Sequence, residues 1–262
     1  MNADFLRDLQ LAGVKWEITE LPMALYVGAK KEAKLKEQKS QEEKKDIPTL
    51  KRVATSVVPP IEPLVPMSLD IAKAMALRPL DLDALRRMIS EFNHPLKVGA
   101  TNVVLPSFAP NSNGVLIVTD IPSSEDDECG NVLSGPAGDL LDKMLAAIHM
   151  SRENVSILPL VFWRTPGGRS PSRNELDLAR PFVDRAISLL KPRIIITLGV
   201  LAANEIAGLS LPKDHGVQKK LDCGATAFPI FHPNYLILKP AAKRDVWIVL
   251  QEIEKMLKIG DK

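Results

Sequence analysis

The chain has 262 residues, of which 45% are apolar and 25% charged, and its formal net charge is +2. This composition excludes a wholly disordered protein and is sufficient for one sizeable core. The net charge is too small to indicate nucleic acid by itself. The two cysteines, Cys129 and Cys223, lack the paired spacing of a zinc or iron–sulfur motif, so we expect neither a disulfide framework nor a metal.

The first 68 residues have the composition of an appendage to the folded domain. Residues 1–29 carry a short amphipathic pattern, which is typical of a helical arm. Residues 30–68 are first rich in lysine and then rich in proline, which favours an extended linker. We find neither a long apolar run that predicts a membrane span nor a signal-peptide pattern at the N-terminus. We therefore expect a cytoplasmic protein whose folded domain covers residues 69–262.

Helical and strand patterns alternate along that domain. Four apolar runs have the length and β-branched content of buried strands, and they cover 115–118, 155–162, 193–198 and 226–231. Helical periodicity occurs at 69–77, 82–92, 137–150, 172–190, 200–207 and 240–258. This alternation predicts the α/β class, with a doubly wound, mostly parallel four-stranded sheet and helices on both faces. Ligands of such sheets bind at the carboxyl ends of the strands.

Three of the predicted strands end in residues that are able to do chemistry. Asp120 follows the first strand, Arg164 and Arg169 lie in a glycine-containing loop after the second, and His232 follows the fourth. An aspartate and a histidine at strand ends of one sheet supply a water-activating base and a donor to an anion. The residues alone equally allow Asp120 to cap a loop and His232 to order a turn. The arginines either grip phosphate or remain solvated.

Three longer stretches carry a resemblance to a known family. They are GPAGDLLDKML, then FWRTPGGRSPSRNELDLARPFVDRAISLLKPRIIITLG, then FHPNYL followed by Lys243 and Trp247. In this order they resemble the family 4 type of uracil-DNA glycosylase over about residues 80–258. The resemblance implies the same α/β fold, with DNA across the strand ends. It also implies that the protein flips uracil out of single- or double-stranded DNA and breaks its N-glycosidic bond.

The resemblance assigns a role to each strand-end residue. The family motif GEAPG falls on Thr119-Asp120-Ile121-Pro122-Ser123, which makes Asp120 the carboxylate that supports the water or the sugar cation. The histidine of the HPS motif is His232, which donates to the uracil oxygen, and Asn234 replaces the serine. We expect a DNA repair enzyme that acts as a monomer, with DNA as its partner.

Two positions of the base pocket depart from the family pattern. The aromatic residue that stacks on the base falls on Leu133, and the asparagine that reads the base edge falls on Pro159. We therefore expect either a glycosylase of weak or altered activity or, alternatively, a catalytically silent DNA-binding or protein-interaction module of the same fold. The retained Asp120, His232 and Arg164 favour the first interpretation, whereas the substitutions at Leu133 and Pro159 favour the second. No glycine-rich phosphate motif is present, which disfavours a nucleotide hydrolase.

A further set of predicted residues is expected to contact DNA. We expect four residues at the strand ends to meet DNA, because positive and polar groups there must contact phosphates. They are Arg164, Arg169, Asn234 and Lys243.

The resemblance places the family's iron–sulfur cysteines at Glu91, His94, Trp163 and Ala179. Without thiolates no cluster can form, so we expect no cofactor, and we expect Trp163 and His94 to pack the vacated space.

Overall fold

The computed structural model describes residues 68–260, and the predicted arm and nearly all of the linker lie outside this range. The helices and strands of the described residues follow in chain order: α1 (Leu69–Leu77), α2 (Leu82–Glu91), β1 (Val115–Thr119), α3 (Ser124–Cys129), α4 (Gly135–Ala146), β2 (Val155–Pro159), α5 (Arg173–Leu190), β3 (Ile194–Leu198), α6 (Val200–Ala207), β4 (Lys219–Lys220), β5 (Thr226–Ile230), α7 (Pro233–Leu238) and α8 (Lys243–Gly260). None of these helices is long and apolar enough to cross a membrane.

The strands form one sheet in the order β2-β1-β3-β5-β4, in which only β4 runs antiparallel. The register pairs Thr119 of β1 with Pro159 of β2 and Leu198 of β3, and it pairs Leu198 with Ile230 of β5. The carboxyl ends of the four parallel strands are therefore level. The predicted doubly wound, mostly parallel sheet is confirmed. The predicted number of four strands omits β4, which consists of two exposed lysines and has no apolar pattern.

Helices cover both faces of this sheet because alternate side chains of each strand point to opposite sides. Leu116 and Val118 of β1 belong to a core shared with α1, α2 and α5. Val115 and Ile117 belong to a second core shared with α4, α7 and α8. Thr119 follows the same alternation and therefore faces the α7 side, where the chain also carries His232.

Two short helices at the strand ends were not predicted. Helix α3 follows β1, and its capping box joins Ser123 to Asp126 through two backbone–side-chain hydrogen bonds. Helix α7 follows β5 and has His232 as its N-cap and Pro233 as its first residue. Both helices have six residues, which is too short for helical periodicity to be recognised. The Ser-x-x-Asp spacing of α3 was the one local signal available.

At the positions where the resemblance places the cluster cysteines, the structure has a cluster of aromatic rings between α2 and α5. This aromatic plug consists of Phe92, His94 and Trp163. The rings of His94 and Trp163 are stacked, with centroids 4.7 Å apart and planes 7° from parallel. Phe92 packs against both rings, and Ala179 is fully buried, whereas Glu91 is exposed. Among the described residues, no group of three or more His, Cys, Asp or Glu is arranged to hold a metal ion. This corner is filled by protein and does not fit an iron–sulfur cluster.

Hydrogen bonds hold the His94 ring in this plug. Its Nδ1 accepts from the backbone N–H of Leu96 at 3.2 Å, so the ring's proton lies on Nε2, which donates to the carbonyl of Glu175 at 2.9 Å. Burial lowers the pKa of His94 below its usual value, despite the opposing effect of Glu175, and this favours the neutral ring. The packing that was predicted for His94 and Trp163 is thus what the structure contains.

Replacing Trp163 with alanine should lower the free energy of unfolding by about 3–5 kcal/mol, because it opens a large cavity in a fully buried cluster. Urea unfolding followed by circular dichroism measures this change. The matched control is Trp247→Ala on α8, whose side chain is 40% exposed and which should cost less than about 1 kcal/mol. Equal losses in the two variants would contradict a structural role for the plug.

Candidate active site

A cavity of about 180 Å³ opens at the carboxyl ends of the parallel strands. Asp120 enters it from β1, and His232 enters it from the end of β5. The rest of its lining is glycine backbone and apolar or aromatic surface, contributed by Gly199, Val200, Leu211, Pro212, Phe231 and Tyr235. The two residues predicted to be catalytic therefore share one pocket.

The Asp120 carboxylate is fixed at the N-terminus of α6. Its Oδ1 accepts the backbone N–H of Ala202 at 2.6 Å. Gly199, directly before the helix, has φ +103°, and a side chain there would collide with the carboxylate. Burial raises the pKa of Asp120 to about 6, although hydrogen bonds from Ala202, Leu201 and Val200 act in the opposite direction. The group is thus a largely buried carboxylate that changes charge close to neutral pH.

The His232 imidazole is held by both of its nitrogens. Nδ1 lies 3.2 Å from the backbone N–H of Asn234 and accepts from it. Nε2 lies 3.1 Å from the hydroxyl oxygen of Thr119. Burial lowers the pKa of His232 to about 4, with a smaller opposing effect from Asp126. At neutral pH the ring is therefore uncharged and has its proton on Nε2, which can donate a hydrogen bond, and the ring does not readily take up a second proton.

Asp126 is a buried residue near the site that the sequence analysis did not identify. Its Oδ2 accepts the N–H of Ser123 at 3.0 Å, and its Oδ1 accepts the N–H of Ser134 at 2.5 Å. These bonds join the loop after β1 to the start of α4. Because its charge also acts on His232, Asp126 both shapes the site and contributes to its electrostatics.

An aromatic stack forms one side of the cavity, and it too was missed in the sequence. Phe231 lies between His215, with centroids 4.3 Å apart, and Tyr235, with centroids 4.8 Å apart. The Lys239 ammonium lies 5.3 Å from the centre of the Tyr235 ring. The adjacency of Phe231 to His232 in sequence was the available signal. The Phe231 and Tyr235 rings line the cavity together with His232.

The two substituted base-pocket positions do not line this cavity. Leu133 has φ +52°, is 2% exposed and packs in the core shared with α4. Pro159 is the last residue of β2 and is also buried. The structure therefore places Asp120 and His232 together, but it brings neither Leu133 nor Pro159 into the same pocket.

The predicted DNA-contacting residues have different environments. Arg164 is partly buried and forms no hydrogen bond or ion pair with the described residues. Arg169 forms two hydrogen bonds to Glu175, of 2.8 and 2.6 Å, and these hold the pKa of Glu175 at about 2. Asn234 and Lys243 are exposed, the former beside the cavity residue His232 and the latter at the start of α8. Of the three predicted cations, Arg169 is the one that forms an ion pair with a described residue, while the charge of Arg164 acts on Glu125.

Comparison of the chain with known proteins finds a matching family and several similar proteins. The family model described as the uracil DNA glycosylase superfamily matches residues 105–253. A type-4 uracil-DNA glycosylase of Pyrobaculum aerophilum is 32% identical over 174 residues, which cover 63% of this chain and 88% of that protein. A type-4 uracil-DNA glycosylase of Thermotoga maritima is 31% identical over 164 residues, which cover 62% and 84% of the two chains. The segment that the family model matches contains the whole sheet together with Asp120 and His232.

The charge state of Asp120 leads to a prediction for stability. In the unfolded chain the carboxyl has its ordinary pKa near 3.8, whereas in the folded chain the value is about 6. The folded state therefore binds this proton more tightly, and stability is lost as the pH rises through that interval. Asp120→Asn, which carries no charge, should raise the free energy of unfolding at pH 8 by about 2–3 kcal/mol, because each pKa unit corresponds to about 1.4 kcal/mol.

The gain of Asp120→Asn should shrink as the pH falls and disappear below about pH 4, where both forms are neutral. Urea unfolding at pH 4, 6 and 8 measures it. Asp139→Asn, at an exposed carboxyl on α4, serves as the control and should change stability little at any of these values. A pH-independent effect of Asp120→Asn would contradict the burial of a charged carboxylate.

Proposed function

The chain belongs to the uracil DNA glycosylase superfamily, and we propose that it binds DNA and hydrolyses the N-glycosidic bond of uracil or another damaged base. The proposal is carried by one observation, the convergence of Asp120 and His232 in a single cavity at the carboxyl ends of β1 and β5. Such enzymes reach their target by turning the nucleotide out of the base stack. The end of a doubly wound sheet is where this fold class binds ligands.

Asp120 is assigned the role of supporting the sugar and the water. As the bond between C1′ and the base nitrogen breaks, its electron pair leaves with the base, and C1′ acquires positive charge. The ionised carboxylate stabilises that charge. The oxygen of a water then bonds to C1′, and the carboxylate accepts the proton that the water gives up. Both tasks require the charged form, which predominates above the pKa of about 6.

His232 is assigned the role of donor to the leaving base. Its Nε2–H hydrogen bonds to the base carbonyl oxygen, where negative charge grows as the electron pair departs. The pKa of about 4 keeps the ring neutral, so the base leaves as an anion and its proton comes later from solvent. A neutral donor in a buried site is effective because the surrounding medium screens the interaction little.

We propose further that excision is slow and weakly selective. Pro159 has no side-chain amide to read the edge of a base, and the Leu133 side chain packs in the core. Loss of one transition-state donor typically lowers the rate by about 10²–10³. A pocket in which neither position 133 nor position 159 hydrogen bonds to the edge of the base also discriminates poorly between bases.

The same two positions favour a second candidate function, a DNA-binding or protein-interaction module without catalysis. In that case Asp120 serves only to cap α6, and His232 serves only to cap α7, as their hydrogen bonds permit. The two functions differ in one measurable property, since only the enzyme releases a free base from DNA.

The purified protein should release uracil from an oligonucleotide, which alkali cleavage at the abasic site and gel electrophoresis detect. Oligonucleotides with hypoxanthine or xanthine test selectivity in the same way. Asp120→Ala and His232→Ala should each abolish the release, because each removes one half of the charge complementarity. The rate should rise with pH through about 6 and then level off, since Asp120 must be ionised and His232 is already neutral.

Asp139→Ala and His149→Ala are the matched controls, because they remove the same residue types from exposed positions and should retain full activity. Release that persists in the Asp120→Ala, His232→Ala double variant would show that the active site lies elsewhere. DNA binding without release of any base would favour the silent module.

DNA affinity should fall steeply with salt, because binding of phosphates by cations releases counterions. Lys243→Ala and Arg164→Ala should each reduce the slope of log affinity against log salt concentration by about 1, as expected for one lost phosphate contact. Fluorescence anisotropy with a labelled oligonucleotide measures this slope.

Lys255→Ala is the control for Lys243→Ala, since it lies on the same helix about 18 Å further along and is exposed. It should leave the slope unchanged. A slope that Lys243→Ala and Lys255→Ala reduce equally would argue that the start of α8 has no special contact with DNA.

A further inference from the structure

We propose that Thr119 is a positioning residue for His232, and that its hydroxyl fixes the imidazole with the Nε2 proton directed to the carboxyl end of β1. The inference rests on the proposed function of the same cavity and adds a residue to it. The observation that carries it is the 3.1 Å contact between His232 Nε2 and Thr119 Oγ1, made across the sheet from β5 to β1.

The position of the Thr119 hydroxyl is set by the sheet. Thr119 is the last residue of β1, which lies between β2 and β3, and its backbone is in register with Pro159 and Leu198. Its carbonyl accepts the N–H of Leu160 at 3.0 Å, and the residue is 2% exposed. A group fixed by strands on both sides is a rigid reference point for a side chain that comes from a loop.

The hydrogen bonds of His232 determine which nitrogen holds the proton. A neutral imidazole has one N–H, and Nδ1 faces the backbone N–H of Asn234, so Nδ1 must be the acceptor. Nε2 is then the donor, and the Thr119 hydroxyl is its acceptor. Turning the ring over would place carbon atoms against both partners and would break both bonds. Thr119 and Asn234 together therefore select one tautomer and one orientation.

The threonine is not explained by the packing of β1. The four residues before it, Val115 to Val118, are all apolar and buried, so an apolar residue would complete the strand equally well. The hydroxyl lies against the one histidine that the cavity contains.

The contact affects the reaction more than the binding of the substrate. While the base is neutral, its carbonyl oxygen is an ordinary acceptor, but it becomes a strong one as negative charge develops. The Nε2–H that rests on Thr119 Oγ1 in the free protein is shared with the base oxygen once the substrate is bound, so the imidazole loses no energy to reorientation as the charge develops. Removing the hydroxyl should therefore lower kcat and leave KM nearly unchanged.

The experiment compares the wild-type protein with Thr119→Val, which keeps the shape without the hydroxyl, and with Thr119→Ser, which keeps the hydroxyl. On an oligonucleotide with a single uracil, Thr119→Val should lower kcat about tenfold, the effect of one hydrogen bond, with KM changed less than twofold. Thr119→Ser should restore most of kcat. An increase of kcat in Thr119→Val, or a loss that Thr119→Ser fails to reverse, would overturn the proposal.

A second readout requires no activity. In nitrogen-15 spectra of the imidazoles, the His232 Nε2 proton of the wild type and of Thr119→Ser should exchange slowly with water, and in Thr119→Val it should exchange rapidly. His232→Ala assigns the signal, and Thr119→Ala replaces Thr119→Val if the latter fails to fold. An unchanged Nε2 signal without the hydroxyl would overturn the role of Thr119. A wild-type protein that releases no base but shows this pattern would instead refute the proposed function alone.

Discussion

The hydrogen bond between Asp120 and the N-terminus of α6 is the interaction on which the site depends. It joins the end of β1 to the helix that follows β3, so that a carboxylate lies where the level strand ends open into a cavity. The arrangement requires a glycine at position 199, because any side chain there would displace the carboxylate. It leaves an ionisable group largely out of water, with a pKa of about 6. Functional sites commonly contain ionisable groups whose burial lowers the stability of the folded protein.

Burial acts on the two polar residues of the cavity in the same sense, since it favours the neutral form of each. It raises the pKa of Asp120 to about 6 and lowers that of His232 to about 4. Between these values both groups are neutral, and above about 6 the pair consists of a carboxylate and an uncharged imidazole. That combination suits a reaction in which positive charge develops on a sugar and negative charge on a departing base.

The sequence predicts the sheet well because its four parallel strands are mostly apolar and rich in β-branched residues, and it predicts Asp120 and His232 because they follow two of these strands within two residues. The sequence does not predict the hydrogen bond between His232 and Thr119, since this contact depends on the strand order and on the direction of the two side chains. Asp126 is hidden for a similar reason, because a carboxylate in an acidic segment resembles a solvated one until its backbone partners are known.

The claim that most needs a direct measurement is the charge state of Asp120, on which both its catalytic role and its effect on stability rest. Carbon-13 labelling of the aspartates, with Asp120→Asn to assign the signal, allows the side-chain carboxyl to be titrated in the folded protein. The structure predicts a midpoint of about pH 6. A midpoint close to the ordinary value of 3.8 would show an exposed carboxylate and would contradict the account of the site.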